Sequence, residues 1–131
     1  MFGGQTTGNS KVIDSVERYD PLSDSWQLLR TRLPTARFGH GAAVYHDKVV
    51  IVGGSSAKSK SPHLTDVVSF DPMSESWTRM TPLSTPRCFV SVAVACDTIF
   101  AIGGYNAEAK YLTSSEAFSD LTGESAAHLM L

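Results

Sequence analysis

The chain has 131 residues, of which 42% are hydrophobic and 18% are charged, a composition typical of one globular domain. A formal net charge of −2 provides no basic surface for nucleic acid and no acidic tail. The most apolar stretch, Cys88–Ile102, is interrupted by Ser91 and Asp97, so it does not fit a membrane-spanning helix.

The amino terminus has neither the basic start nor the apolar core of a secretory signal. The two cysteines, Cys88 and Cys96, are too few for the disulfide framework of a small secreted domain. No Asn-x-Ser/Thr glycosylation sequence occurs either. These features favour a reducing, intracellular compartment, and we expect a cytoplasmic protein.

A repeat of 50 residues organises the sequence, because a diglycine recurs at Gly3–Gly4, Gly53–Gly54 and Gly103–Gly104. Arg37 recurs as Arg87 at the same spacing of 50 residues. Several landmarks in one register predict one supersecondary unit per repeat. Further landmarks close to this register are the aromatic residues Tyr19, Phe70 and Phe118 and the tryptophans Trp26 and Trp77.

Each unit is predicted to contain four short strands. In the second unit, Gly41–Tyr45 precedes a two-residue hairpin connection at Asp47–Lys48, and the apolar strand Val49–Val52 then ends at the diglycine. Four antiparallel strands in about fifty residues are the pattern of a propeller blade. The remaining predicted elements of this unit are a polar loop at Ser55–His63, a third strand at Asp66–Phe70 and a fourth strand at Trp77–Met80.

These residues resemble the kelch-repeat family, in which a diglycine, an aromatic residue and a tryptophan follow one another at these spacings. The first two units carry the whole signature. In the third unit Ser125 stands where a tryptophan is due, and Ser119–Asp120 replaces Asp–Pro. The resemblance implies an all-β kelch β-propeller fragment of about two and a half four-stranded antiparallel blades.

The repeat divides the chain into a partial kelch repeat at 1–33, a complete repeat at 34–82, a partial repeat at 83–122 and a divergent tail at 123–131. Kelch propellers close with about five to seven blades. We therefore expect the chain to be a fragment, a truncated isoform or a gene-model remnant of a longer protein.

The hallmark residues are expected to have structural roles in the core and turns of the blades. The two arginines are expected to brace their blades, and the alternative is that they lie near the ligand face. The expected structural hallmarks are Gly3, Gly4, Tyr19, Trp26, Arg37, Gly53, Gly54, Phe70, Trp77, Arg87, Gly103, Gly104 and Phe118.

Few features of the sequence indicate catalysis or metal binding. His40 and His46 are six residues apart, roughly 20 Å along a strand, too far to share a metal ion. The cysteines form no zinc pattern, and no nucleophile elbow or phosphate-binding loop occurs. We expect no enzymatic activity, no metal and no cofactor. The alternative, a propeller enzyme like galactose oxidase, lacks an assembled copper-ligand set here.

The kelch resemblance implies a protein-interaction module whose partners are other proteins rather than nucleic acid or membrane. The segment Ser15–Pro21 looks most like BTB-kelch adaptors, which present substrates to cullin-RING ubiquitin ligases. Binding to actin or another cytoskeletal protein is the alternative, and the sequence does not separate the two.

In this family, partners meet the loops at one end of the blades. Carried over to this sequence, the candidate partner-binding residues are Gln5, Ser55 and Tyr105 after the diglycines, and Phe38 and Cys88 beside the arginines. The alternative for Phe38 and Cys88 is burial beneath the neighbouring blade.

Overall fold

The computed structural model describes residues 1–56 and 62–119 and the backbone of 129–130. The described residues form three stacked antiparallel sheets, one for each repeat, which confirms the predicted all-β architecture. The first sheet has three strands. They are β1 (Phe2–Gln5), β2 (Val12–Asp20) and β3 (Ser25–Arg32).

The second sheet has four strands in sequential order, each paired with the next along the chain. Its apolar second strand is completely buried from Val50 onwards because it lies between two neighbouring sheets. The strands are β4 (Gly41–Tyr45), β5 (Lys48–Val52), β6 (Val67–Asp71) and β7 (Ser76–Arg79).

The third sheet also has four strands, with a small two-stranded ribbon in the loop after its diglycine. Its outermost strand is a short segment of the tail, Leu129–Met130, which pairs with Ala117 and Glu116. From the sequence, this tail is expected to lie outside the repeat, because the third unit has neither the tryptophan nor the Asp–Pro turn. The elements are β8 (Ser91–Ala95), β9 (Thr98–Ile102), the ribbon β10 (Tyr105–Asn106) and β11 (Lys110–Tyr111), β12 (Ser115–Phe118) and β13 (Leu129–Met130).

The hairpin between β4 and β5 turns one residue earlier than predicted. Tyr45 pairs with Lys48, so the two loop residues are His46 and Asp47 rather than Asp47 and Lys48. Both loop residues have positive φ angles, 49° and 59°. A two-residue loop with two positive φ angles matches the right-handed twist of the flanking strands, and this requirement sets the position of the turn.

Two apolar clusters join the three sheets. The first sheet contributes Val16, Leu29 and Leu33, which pack against Ile51, Val68 and Phe70 of the second sheet. Phe2 stacks edge-on against Phe70 and Trp77 at ring-centroid distances of 5.5 and 5.9 Å. The second cluster joins the second and third sheets and includes Tyr45, Val50, Val52, Val67, Leu83, Val90, Ile99, Ala101 and Phe118.

The aromatic pair of the second unit, Phe70 and Trp77, faces the first sheet. Phe70 is 4% exposed beneath the first sheet, and the Trp77 indole N–H donates a hydrogen bond to Thr31 at 3.0 Å. The equivalent pair in the first unit, Tyr19 and Trp26, is 44% and 59% exposed. The expected core position of these two residues is therefore wrong for this chain, because no described sheet covers them.

Candidate functional site

The two repeated arginines are buried anchors at one end of the sheets. Arg37 and Arg87 are both 0% exposed. A terminal nitrogen of each guanidinium donates a hydrogen bond to the carbonyl of the first glycine of its own unit, Gly53 at 3.1 Å and Gly103 at 2.8 Å. Each arginine thereby ties the segment before the first strand to the exit of the second strand.

An acidic residue completes each anchor. Arg37 pairs with Asp66 at 2.5 Å, and Arg87 pairs with Glu116 at 2.9 Å. Sequence reasoning did not identify these acids, although both lie 29 residues after their arginine, a spacing that could have revealed them. Burial alone would raise the pKa of Glu116, but hydrogen bonds from Ser84 and Arg87 outweigh this effect and lower the pKa below its ordinary value.

The diglycines also connect each unit to the next. The N–H groups of Gly4 and Gly54 donate to the carbonyl oxygens of Arg37 and Arg87, each at 2.8 Å. A side chain on Gly53 would bring its Cβ within 2.4 Å of the Arg87 carbonyl oxygen, and Gly53 has a φ of 61°. Only glycine therefore allows this close approach between units. We call this end of the sheets the diglycine end.

The structure brings four of the five predicted partner-binding residues together in pairs at the diglycine end. Phe38 forms an isolated antiparallel bridge with Ser55, and Cys88 forms the equivalent bridge with Tyr105. The fifth residue, Gln5, is exposed at the end of β1, where its side-chain amide donates to the Ser10 carbonyl at 3.0 Å.

Two of these residues do not present their side chains to solvent. Ser55 is 4% exposed and Cys88 is 1% exposed. The Cys88 sulfur lies 3.9 Å from the Phe38 carbonyl oxygen, and burial raises the pKa of its thiol. The surface position that a partner-binding role implies for Ser55 is therefore wrong, and the burial considered as the alternative for Cys88 is correct.

Aromatic side chains form the exposed part of the diglycine end. Phe38 contacts Phe89 at a ring-centroid distance of 6.0 Å, and Tyr105 contacts Tyr111 at 5.8 Å. Phe89 is 67% exposed and Tyr111 is 85% exposed, whereas Phe38 and Tyr105 are half-buried. We call Phe38, Phe89, Tyr105 and Tyr111 the aromatic surface. Sequence reasoning missed Phe89 and Tyr111.

Phe89 adopts a backbone conformation that is unusual for a bulky residue. Its φ angle is 54°, and the equivalent residue of the second unit is Gly39, with a φ of 63°. A left-handed conformation costs a residue with a Cβ about 1–2 kcal/mol, a cost that glycine avoids. An exposed aromatic residue held in such a conformation is an outlier of the kind that clusters at binding sites.

Phe89 and Tyr105 line a depression of about 570 Å³ on the third unit. Tyr111 and Leu112 add further apolar walls, and Gly104 completes the lining. Apolar and aromatic walls with few polar groups are typical of a pocket that receives a side chain of a partner.

The described residues show no arrangement suited to metal chemistry, since they contain no group of three or more His, Cys, Asp or Glu side chains that could hold a metal ion. His40 is half-buried, and its burial, followed in importance by the positive charge of Arg37, lowers its pKa. No helix in the described part of the chain is long and apolar enough to cross a membrane.

Solved structures establish the fold by comparison. The structure of YjhT superposes with a TM-score of 0.82 at 18% sequence identity, over 99% of this chain and 47% of that protein. At this identity the likeness concerns the fold alone, and it agrees with a set of stacked propeller blades.

Curated proteins and a family model extend the comparison to sequence. Kelch-like protein 36 of Bos taurus is 33% identical over 71% of this chain, and alpha-scruin of Limulus polyphemus is 30% identical over 88%. The chain spans only 15% and 13% of the length of these two relatives. The model described as the KLHDC2/KLHL20/DRC7 Kelch-repeats domain matches residues 1–122. The chain therefore belongs to the kelch-repeat family.

Proposed function

We propose that this chain is a protein-recognition module that binds its partner through the diglycine end. The observation that carries the proposal is the aromatic surface, where Phe89 and Tyr111 expose large apolar side chains on loops. Buried arginine anchors fix the backbone beneath these loops. Exposed aromatic residues on a rigid scaffold are the usual energetic centres of protein interfaces.

The biological role that we propose is substrate recognition in an adaptor of a cullin-RING ubiquitin ligase. The resemblance of Ser15–Pro21 to BTB-kelch adaptors supports this role, as does the similarity to Kelch-like protein 36. Binding to actin or another cytoskeletal protein uses the same scaffold and is the alternative outcome of the test.

The test compares the wild type with Tyr111→Ala in the full-length protein that contains this chain. Captured proteins are identified by mass spectrometry, and their ubiquitylation is measured with and without cullin inhibition. Tyr111 is 85% exposed, so its truncation should leave the fold intact. We expect capture of the substrate to fall by about thirtyfold or more, because truncation of an interface hot spot costs at least about 2 kcal/mol of binding free energy.

Met73→Ala is the matched control, because Met73 is 93% exposed in the turn between β6 and β7, at the opposite end of the sheet. This variant should capture partners as the wild type does. Co-sedimentation with filamentous actin that depends on Tyr111, without any cullin-dependent ubiquitylation, would replace the ligase role with the cytoskeletal one.

A further inference from the structure

His40 lies at the junction between the second and third units, close to the aromatic surface. It follows Gly39, whose carbonyl accepts a hydrogen bond from the Phe89 N–H at 2.6 Å. A Cβ atom on Gly54 would lie 3.1 Å from the His40 Cβ and 3.2 Å from its backbone nitrogen, so these two residues are in close contact. The Gly54 N–H in turn donates to the Arg87 carbonyl at 2.8 Å. His40 is therefore adjacent to two backbone hydrogen bonds that join the units.

The imidazole of His40 carries a buried nitrogen that has no hydrogen-bond partner. Its Nδ1 atom makes no hydrogen bond among the described residues, although the rest of the ring is only half-buried. The equivalent residue of the third unit is Val90, which is 6% exposed. This position therefore suits an apolar side chain, and the neutral imidazole is the form of histidine that it accepts at the lower cost.

The charged groups of the second unit disfavour a positive charge on the imidazole. Burial of the ring, followed in importance by the charge of Arg37, lowers the pKa of His40. Arg37 is fully buried three residues before His40. The exit of β5, residues 53–56, carries no titratable side chain. The nearby carboxylate of Asp66 pairs with Arg37 and Arg79 rather than with the imidazole.

The third unit faces this junction with the same balance of charge. Its residues 87–89 include Arg87, which pairs with Glu116, and Cys88, whose buried thiol has a raised pKa. Strand β8, which contacts β4, contains no charged residue. A protonated His40 would therefore add a positive charge to a junction that already holds two buried arginines. Among the described residues, no carboxylate pairs with its ring.

We propose that the junction between the second and third units is a pH-sensitive element, docked when His40 is neutral and loosened when His40 is protonated. A charged imidazole must move towards water, and this movement draws the segment of Gly39 away from Phe89. Phe38 and Phe89 meet across the same junction at a ring-centroid distance of 6.0 Å. Loosening therefore disturbs the aromatic surface, a regulation that rests on the proposed recognition function.

The test is amide hydrogen exchange of the 131-residue chain, followed by NMR from about pH 7.5 to about pH 5.5 and corrected for intrinsic exchange rates. Because the pKa of His40 is lowered in the folded state, its stabilising effect is fully present above the unfolded pKa of about 6.5 and is lost as the pH falls through the pKa of the folded state. Protection of the Gly54 and Phe89 N–H groups should therefore fall by up to about tenfold per pH unit below about pH 6.5. The Leu33 N–H, which donates to Asp14 within the first unit, should keep its protection.

His40→Val introduces the residue that the third unit has at the equivalent position, and its protection at the junction should not depend on pH in this range. His46→Asn is the control at a histidine that is 52% exposed in the β4–β5 hairpin, and it should behave as the wild type does. Chemical shifts of the wild-type His40 ring give a second measurement, with a titration midpoint expected below about 6.5. A midpoint at or above this value, a pH-dependent loss in His40→Val, or an equal loss at Leu33 would overturn the proposal.

Substrate capture by the full-length protein separates this inference from the proposed function. If protection at the junction changes as expected while Tyr111→Ala leaves capture unchanged, the pH-sensitive junction stands and the recognition function is wrong. If Tyr111→Ala weakens capture while protection of Gly54 and Phe89 does not depend on pH, the recognition function stands and the pH-sensitive junction is wrong.

Discussion

The buried ion pair between Arg87 and Glu116 provides a stringent test of how the third unit is held together. The Arg87 guanidinium donates to Glu116, to the Gly103 carbonyl and to Ser114. Arg87→Leu removes these hydrogen bonds and leaves the Glu116 carboxylate buried. Removing one partner of a buried pair costs about 3–5 kcal/mol. The backbone N–H and hydroxyl of Ser84 and the N–H of Thr85 still donate to the carboxylate after this change. We therefore expect the free energy of unfolding to fall by about 3 kcal/mol, the lower end of that range.

The assay is urea unfolding of the 131-residue chain, followed by circular dichroism and intrinsic fluorescence. Arg30→Leu is the control at an exposed arginine and should change stability by less than about 0.5 kcal/mol. Arg37→Leu should reduce the free energy of unfolding less than Arg87→Leu does. Asp66, the partner of Arg37, keeps an ion pair with Arg79, and the Asp66 side chain is 19% exposed. A midpoint for Arg87→Leu equal to that for Arg30→Leu would refute the anchoring role.

Three further predictions follow from particular contacts. Trp77 packs on Phe2, so Trp77→Ala should lower the free energy of unfolding by about 3 kcal/mol in the same assay. Trp26 is 59% exposed, so Trp26→Ala should lower it far less. Equal losses of stability in the two variants would contradict this packing. The pKa of Glu116 is lowered in the folded state. The stability that the ionised carboxylate contributes is therefore fully present above its unfolded pKa of about 4.3, and it is lost as the pH falls through the pKa of the folded state. As the pH is lowered across this range, the free energy of unfolding should therefore decline less steeply for Glu116→Gln than for the wild type. Identical slopes for the two proteins would be evidence against the lowered pKa of Glu116. Phe89→Gly should be more stable than Phe89→Ala by about 1 kcal/mol in thermal melts, because only glycine adopts the positive φ without strain, and the opposite order would argue against that backbone conformation.

The repeat made most of the architecture predictable. The diglycine, arginine and tryptophan landmarks of the repeat led to the correct strand order of the second unit, with boundaries that differ by at most one residue. The hairpin shifted to His46–Asp47 because two positive φ angles are needed in the loop, which composition alone did not locate. The exposure of Trp26 depends on which sheet covers it, and this is not a property of its own unit.

The candidate site was predicted in part. The repeat register correctly placed Phe38 and Tyr105 at one end of the sheets, since both follow landmarks of their units. Phe89 was missed because its counterpart in the second unit is Gly39, so comparison of the repeats gave no aromatic signal. Tyr111 was missed because it lies in the ribbon β10–β11 of the third unit. The described part of the second unit has no such ribbon, so comparison of the repeats gave no counterpart for Tyr111.

The central claim, recognition through the diglycine end, is tested most directly by site-specific photo-cross-linking in the full-length protein. A photoreactive amino acid replaces Tyr111 in one variant and Met73, at the opposite end of the second sheet, in another. We expect a bound partner protein to cross-link from position 111 and not from position 73. Cross-linking of that partner from position 73 alone would contradict it.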